Sequence, residues 1–455
     1  MTLPSTKFDF GSTSNFLAAL DPGFRPAELE QQAYVAAAMR AGNALPLVIA
    51  LEREGGLVSR YETVVNPAAP DTRQYVDRLV KFLLWARGGW RLYLQGPREV
   101  CAGVSVRSFD RTSMEEIYER SFDIVVGEAP AAKEAELKLG GHYDGCRLGF
   151  DLGASDYKIA AVIDGEVVFC EEFPWQPVTQ ADPEYHYQLL NDGLKKAAAY
   201  LPRVDAIGGS TAGAVVDNQL VAASLFRSVP KASFERAKTM FLRLRDEWRV
   251  PVAVANDGDV TALAGALSLG VTGLLGVAMG SSQAAGYIDR RGCMLGWLNE
   301  LAFTPVDSNP QAVADEWSGD RGVGAQCFSQ QAVNKLLPAA GIDLPAEMGL
   351  PERLKEVQAL MAKGDPRAAR IYETIGTYLG FTVPYYANFY DFQHLLVLGR
   401  VTTGEGGNII LAKAQEVLRA GFPGGDAQIS LHLPDEKSKR LGQAVAAASL
   451  PEINA

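Results

Sequence analysis

Residues 148–169 read LGFDLGASDYKIAAVIDGEVVF, and this stretch decides the fold. Apolar Leu148 and Phe150 lead into Asp151, and a small-residue turn runs from Gly153 to Asp156. A second apolar run starts at Ile159, and Asp164-Gly165 turns into a third, Val167 to Cys170. Asp-Gly between apolar runs is a hairpin signal, so three consecutive strands are expected. A carboxylate at the end of one strand, followed by small residues, suits a phosphate tail. Gly153 and Ala154 let the backbone come close, Ser155 offers a hydroxyl, and Asp151 can hold a magnesium ion through water. Read alone, D-x-G-x-S is equally an ordinary hairpin turn.

Outward from this stretch, the C-terminal two-thirds gives one order of elements twice. The first pass has strands at 148–151, 158–163 and 166–171, a helix near 183–200 and a strand at 205–210. After an insertion come a strand at 251–255 and a helix at 259–269. The second pass has strands at 273–279, 284–288 and 294–297, then a helical region over 311–380. It continues with a strand at 394–399, a helix at 408–420, a strand at 427–433 and a helix at 437–449. Such an order predicts an α/β fold of two lobes, each a mixed sheet covered on its faces, with a ligand cleft between them.

Residues 1–145 read as an additional small α/β domain. A helix is expected at 26–41, a hairpin at 47–51 and 57–65 through Glu54-Gly55-Gly56, a helix at 71–87, and strands at 90–94 and 122–126. The charged, Ala-rich segment 128–140 reads as a linker. The expected division is therefore 1–145, 146–270 and 271–455.

The 455 residues are 47% hydrophobic and 21% charged, with a net charge of −11. That balance excludes a broad basic face, so no nucleic-acid partner is expected. Lys7, Arg25 and Arg40 stand against Asp9, Asp21, Glu28 and Glu30 in the first 45 residues, which also argues against a helix-turn-helix reader. Five cysteines without C-x-x-C spacing fit reduced thiols in a cytoplasm. The opening MTLPSTKFDF lacks a charged-then-apolar layout, so a cytoplasmic location is expected. The uncharged run 260–288 is broken by glycines and reads as a buried helix and strand, not a membrane span.

Three further stretches join 151–155. In Val254-Ala-Asn-Asp-Gly-Asp259 a strand ends in polar residues before a helix. Asn256 or Asp257 is a helix cap there, or a catalytic group at the carboxyl end of a strand. Residues 278–286 (AMGSSQAAG) make a small-residue turn that corresponds in the second lobe to 151–156. Two mirrored turns of this kind suit a polyphosphate bound by backbone N–H groups. Residues 397–407 (VLGRVTTGEGG) run from a strand into a glycine-rich loop before a helix, a setting for anions or a flexible turn. His186 among Tyr185 and Tyr187, and His394 at a strand start, read as packing residues. Arg400 reads as a phosphate contact or a surface residue, and Glu52-Arg-Glu54 as a solvated turn. Trp85, Trp90 and Tyr93 read as core.

The order D-x-G-x-S (151–155), S-T-A-G (210–213), N-D (256–257), a Gly/Ser turn (280–281) and L-G-x-x-x-x-G (398–404) resembles the ROK family of bacterial sugar kinases and related repressors. That family lies within the actin/hexokinase/heat-shock ATPase superfamily. The resemblance covers about residues 146–455. It implies two ribonuclease-H-like lobes and phosphoryl transfer from ATP, with Mg2+, to a hydroxyl of a sugar or polyol. Asp257 would be the general base. Asn256, Gly213 and Glu300 would contact the sugar, and Ser224 stands where the family has a sugar-binding Asn. Asp151, Gly153 and Ser155 would form one phosphate loop, Gly280 and Ser281 the other, and Gly399 with Gly404 the adenosine loop. The resemblance also implies a homodimer.

Several positions depart from the family. Phe303 stands in place of its histidine within Asn299-Glu-Leu-Ala-Phe303. Residues 316–327 hold a single Cys where the family has a zinc-binding cluster, so no zinc is expected. Ser282, Ala284 and Ala285 stand where glycines are common, and Asp156 adds an acid to a loop meant for phosphate. These departures put glucose specificity and efficient ATP use in question. They keep open a sugar-binding sensor or scaffold without turnover, and an ATPase acting on a protein or acyl group.

Overall fold

The computed structural model describes residues 18–135, 140–153, 155–222, 224–421, 429–434 and 436–453. Contacts divide the chain into two units: residues 1–135, 277–285 and 297–433 form the first, and 136–276, 286–296 and 434–455 the second. Compactness thus groups residues 1–135 with the segment 297–433, whereas chain order had suggested three successive pieces.

The first unit opens with helix α1 (Ala27–Arg40) and the hairpin β1 (Leu45–Glu52) and β2 (Val58–Val65). Helix α2 (Thr72–Arg87), strand β3 (Arg91–Gln95), helices α3 (Arg98–Gly103) and α4 (Ser108–Tyr118), and strand β4 (Asp123–Val126) follow. The sheet order is β2-β1-β3-β4. Burial of Val76, Leu79, Val80, Leu83 and Leu84 on α2 matches the apolar spacing that predicted this helix.

Two readings of this region need correction. The 128–140 segment is not a free linker up to residue 135. Lys133 and Val58 exchange backbone hydrogen bonds of 2.7 and 2.8 Å, and Glu134 pairs with Arg53 at 2.6 Å. Nor is 52–54 a solvated turn, because Arg53 is buried by that pair and Glu52 accepts the Tyr93 hydroxyl at 2.8 Å.

The second unit is built on β5 (Cys146–Leu152), β6 (Asp156–Ile163) and β7 (Glu166–Pro174), with helix α5 (Pro183–Ala198). Strands β8 (Ala206–Thr211), β9 (Ala214–Val216) and β10 (Gln219–Ala222), helices α6 (Phe234–Lys238) and α7 (Met240–Trp248), strand β11 (Val252–Asn256) and helix α8 (Asp257–Leu269) complete it in chain order. The five strands run β11-β8-β5-β6-β7. Strands β5, β8 and β11 are parallel and β6 and β7 antiparallel. Every residue of β5 is buried, as befits the middle strand. The Asp164-Gly165 turn has φ of 48° and 88°, the left-handed pair that a two-residue hairpin requires.

The chain then forms β12 (Leu274–Met279) and β13 (Gln283–Ile288), which join β14 (His394–Leu398) and β15 (Ser430–His432) in the order β13-β12-β14-β15. Helices α9 (Gln330–Ala340), α10 (Leu350–Ala362), α11 (Pro366–Ala387) and α12 (Glu405–Gly421) belong to the first unit. The expected strand at 294–297 is absent apart from one bridging residue, since Gly292, Gly296 and Asn299 all take positive φ and bend the chain. The helical region expected over 311–380 begins only at Gln330, preceded by a short 3₁₀ turn at Gly324–Gln326. Upstream, Asp315 closes a loop by accepting the Trp317 and Ser318 backbone N–H groups and the Ser318 hydroxyl at 3.2, 2.8 and 2.9 Å.

Helices α11 and α12 approach closely at two glycines. A Cβ on Gly376 would lie 2.7 Å from the Ile410 carbonyl oxygen, and one on Gly380 would lie 2.5 Å from the Val417 Cβ. Residues 18–135 dock on the end of α11 and the turn after it: Phe82 lies against Tyr385 and stacks on Phe389 at centroid distances of 5.1 and 3.8 Å, and Arg87 donates to the Phe389 carbonyl at 3.0 Å.

The last helix, α13 (Glu436–Ala448), lies in the second unit, where it covers β5 and β8. The contact is backbone to backbone. A Cβ on Gly149 would meet the Ala444 carbonyl oxygen at 1.9 Å, and one on Gly208 the Ala447 carbonyl oxygen at 1.7 Å. Among the described residues no helix is long and apolar enough to cross a membrane.

Candidate active site

Strands β5, β8 and β11 end side by side because their parallel register pairs Asp151 with Ser210, Leu152 with Thr211, and Thr211 with Asn256. This places Asp151, Gly213, Asn256 and Asp257 at one carboxyl edge of the second unit's sheet, where open α/β sheets bind ligands. Asp151 is buried and accepts the Ser210 hydroxyl at 2.7 Å. Burial raises its pKa above the usual carboxylate range, and the Ser210 hydrogen bond opposes that rise.

Asn256 is the cap of α8. Its Oδ1 accepts the Gly258 N–H at 2.7 Å, and its Nδ2 donates to the Gly213 carbonyl at 2.9 Å. Gly213 itself has φ 110°. Asp257, the first residue of α8, accepts the same Gly258 N–H at 2.8 Å. Its pKa is pushed up to about 6, chiefly by burial and then by the Asp151 charge. Two contacts fix the first turn of α8. A Cβ on Gly286 would lie 2.1 Å from the Gly258 carbonyl oxygen, and Gln443 on α13 donates to the Asp257 carbonyl at 3.2 Å and to the Thr261 hydroxyl.

The 153–156 turn, expected to meet phosphate, is held by hydrogen bonds of its own. The Gly153 N–H donates to the Asp156 carbonyl at 3.0 Å, and its own carbonyl accepts the Trp175 indole at 2.7 Å. The Ser155 hydroxyl donates to Asp156 Oδ2 at 2.7 Å, so the extra acid occupies the group expected to meet phosphate. Ala154 lies outside the described residues. Ser224 begins a short 3₁₀ turn, Ser224–Phe226.

The remaining predicted residues lie in the first unit. Gly280 N–H bonds to the Ser282 carbonyl at 2.9 Å, and the Gly280 carbonyl accepts the Gln330 N–H at 2.9 Å, leaving Ser281 exposed at the turn. Gly399 packs directly on the Met279 backbone: its Cβ position lies 2.6 Å from the Met279 carbonyl oxygen, and its φ is 103°. The 280–281 and 399–404 loops are therefore neighbours. Gly404, at φ 72°, leads into α12.

Glu300 is held by α2. Its N–H donates to the Trp85 carbonyl, and the Asn299 N–H to the Ala86 carbonyl, both at 2.9 Å. Phe303 lies among Trp85, Phe109 and Trp317 at centroid distances of 4.4, 5.4 and 6.1 Å. Phe303 is thus an apolar anchor against α2 and α4. Cys327 is fully buried, and burial pushes its thiol up to about 12. Among the described residues no group of three or more His, Cys, Asp or Glu could hold a metal ion. His186 is buried beside Trp175 and Phe226, as its packing reading expected.

Ser210 and Gln443 were missed as supports of the two aspartates. Ser210 lay within the S-T-A-G motif, whereas Gln443 sits far along the chain and carried no local signal.

No family model matches the chain, and no curated protein does. Solved structures do match. A ROK hexokinase from Thermus thermophilus aligns with a TM-score of 0.51 at 17% identity, over 66% of this chain and 97% of its own. A ROK family transcriptional regulator, a homolog of the E. coli MLC protein, aligns with a TM-score of 0.54 at 21% identity, over 67% of this chain and 78% of its own. A ROK family protein from Streptococcus pneumoniae TIGR4, in complex with sucrose, aligns at 0.50 and 13% identity over 68% of this chain and 97% of its own. The chain has the ROK fold. The candidate aspartates lie on the sheet whose strands β5, β8 and β11 run parallel.

Proposed function

We propose that the chain is an ATP-dependent kinase that transfers the γ-phosphoryl group to a hydroxyl of a sugar or sugar-like polyol. The observation that carries this reading is Asp257: a carboxylate at a helix start on the ligand-binding edge of the sheet, with its pKa pushed up to about 6. A base in this range is ionised at neutral pH yet accepts a proton readily. Asp257 takes the proton of the acceptor hydroxyl as that oxygen attacks phosphorus. A base of this kind contributes about 10²–10⁴ in rate.

Asn256 orients the acceptor. Each end of its amide has one bond to the protein and keeps capacity for another. Gly213 and Glu300 are assigned to the acceptor as well, and so is Ser224. Asp151, Gly153 and Ser155 are assigned to the phosphates, with Gly280, Ser281, Gly399 and Gly404. One Asp151 oxygen takes the Ser210 bond, leaving the other to hold magnesium through water, which suits an ion that keeps most of its hydration shell. Magnesium there would neutralise phosphate charge.

The test is ADP release with Mg-ATP and a panel of sugars and polyols, for the wild type and Asp257→Asn. Sugar-dependent release in the wild type that survives unchanged in the variant would remove Asp257 from the mechanism.

A second reading is a sugar-binding sensor with weakened turnover. The engagement of Ser155 by Asp156 and the apolar setting of Phe303 favour it, and one neighbour in fold is a transcriptional regulator. Sugar binding without ADP release would select it.

A further inference from the structure

A cavity of about 750 Å³ lies within the first unit, between α2, the 105–110 segment and the 305–321 loop. That volume is in the range of small-molecule sites. Five cationic side chains line it (Arg73, Arg78, Lys81, Arg107 and Arg321) against three carboxylates. This surplus of two positive charges stands in a chain of net charge −11.

The three carboxylates are already committed. Asp110 accepts Lys81 Nζ at 2.8 Å and the Trp85 indole at 2.7 Å. Asp320 pairs with Lys81 and Arg107. Asp77 lies 3.6 Å from Arg73 and accepts the Ser105 N–H at 3.2 Å. The network ties α2, α4 and the 318–321 loop into a preformed floor, so a ligand need not organise it.

Arg78 and Arg321 differ from the other three cations. Their hydrogen bonds go to backbone carbonyls, Arg78 to Asp307 at 3.2 Å and Arg321 to Ala312 at 2.6 Å. Among the described residues neither has a carboxylate in salt-bridge contact, although the Asp307 and Glu30 charges act on Arg78 from farther away, and a guanidinium carries five N–H donors. Burial also lowers the Arg78 pKa, so an anion beside it meets a partly desolvated charge.

We propose that this cavity binds a phosphate monoester of a small neutral molecule, with the phosphate between Arg78 and Arg321. A phosphate monoester carries about −1.5 to −2 charge at neutral pH, which balances the surplus. Val80, Leu84, Val106 and Pro305 offer the body of the ligand an apolar wall. None of the residues assigned to phosphoryl transfer lines the cavity, so the site stands or falls apart from the kinase reading.

Isothermal titration at low salt with ribose 5-phosphate, ribose and citrate tests it on the full chain. Ribose 5-phosphate should bind, and its affinity should fall at least tenfold in Arg78→Gln and in Arg321→Gln but stay unchanged in Asp257→Asn. Because Arg321 is exposed, its variant keeps the test open if Arg78→Gln does not fold. Absence of binding to the wild type, wild-type affinity in both arginine variants, loss of binding in Asp257→Asn, citrate binding as tightly, or ribose binding that weakens equally in the arginine variants would each overturn the proposal.

Discussion

Asp151 and Ser210 face each other across neighbouring parallel strands, and the Ser210 hydroxyl donates to the Asp151 carboxylate at 2.7 Å. Burial raises the Asp151 pKa and this bond opposes that rise by favouring the ionised form, beside Asp257, whose own pKa is raised by burial and by the Asp151 charge. The two carboxylates are therefore coupled, and removing Ser210 should alter both. Ser210→Ala should lower turnover by about tenfold or more while costing roughly 1.5–3 kcal/mol of stability, the size of one lost bond to a buried charged group. Steady-state kinetics and thermal melting of the variant check both numbers.

Asp257→Asn should separate activity from stability. Turnover should drop by about 10²–10⁴. The folded carboxyl titrates near 6 and the unfolded one near 3.9, so the native state holds the proton more tightly. Ionisation of this group thus costs stability as pH rises through that interval. The cost is absent below the lower value and complete above the upper one. The asparagine variant should therefore melt higher than the wild type at pH 8, by up to about 2–3 kcal/mol, with the gap closing toward pH 4. An equal gap at both pH values would contradict the raised pKa.

The pH–rate profile should carry the same signature. Activity that needs ionised Asp257 should fall on the acid side with a midpoint near 6. Substitution of Asp151 by Asn removes a neighbouring charge and should move that midpoint downward, provided turnover remains measurable.

Gly399→Ala tests the pairing of the two glycine-rich loops in the first unit. The residue has φ 103°, and a Cβ would lie 2.6 Å from the Met279 carbonyl oxygen. The substitution should cost at least about 1–2 kcal/mol from backbone strain alone, with a further loss from the steric contact. Nucleotide affinity, read by titration with a non-hydrolysable ATP analogue, should weaken with it. Gly404→Ala meets no such obstruction and should cost less.

Phe303→Ala should destabilise by about 2–4 kcal/mol, because it removes the ring that joins Trp85, Phe109 and Trp317. A chelator should leave the melting temperature of the wild type unchanged, since Asp315 and Ser318 close the 315–320 loop by hydrogen bonds.

The sequence was most legible where local chemistry and long-range structure agree. The Asp164-Gly165 turn, the buried run of β5 and the Asn256 cap all carry their reason within a few residues. The 311–329 region was misread as helix because Asp315 acts as a loop closer, a role that its neighbours do not signal. The 294–297 strand failed for a related reason, since a glycine and an asparagine in left-handed geometry bend a run that is apolar enough to pair. Glu300 was found as a residue, but its attachment to the Trp85 and Ala86 carbonyls was invisible. Such contacts depend on segments that meet only after folding.

Helix α13 has a consequence for how the chain is made. The bare glycine face of β5 and β8, at Gly149 and Gly208, awaits residues 444–448. During synthesis on a ribosome this layer stays uncovered until those residues emerge, long after its own strands have been translated. Premature termination anywhere before residue 444 should therefore yield an aggregating product rather than a smaller active one, whatever else of the chain has been completed.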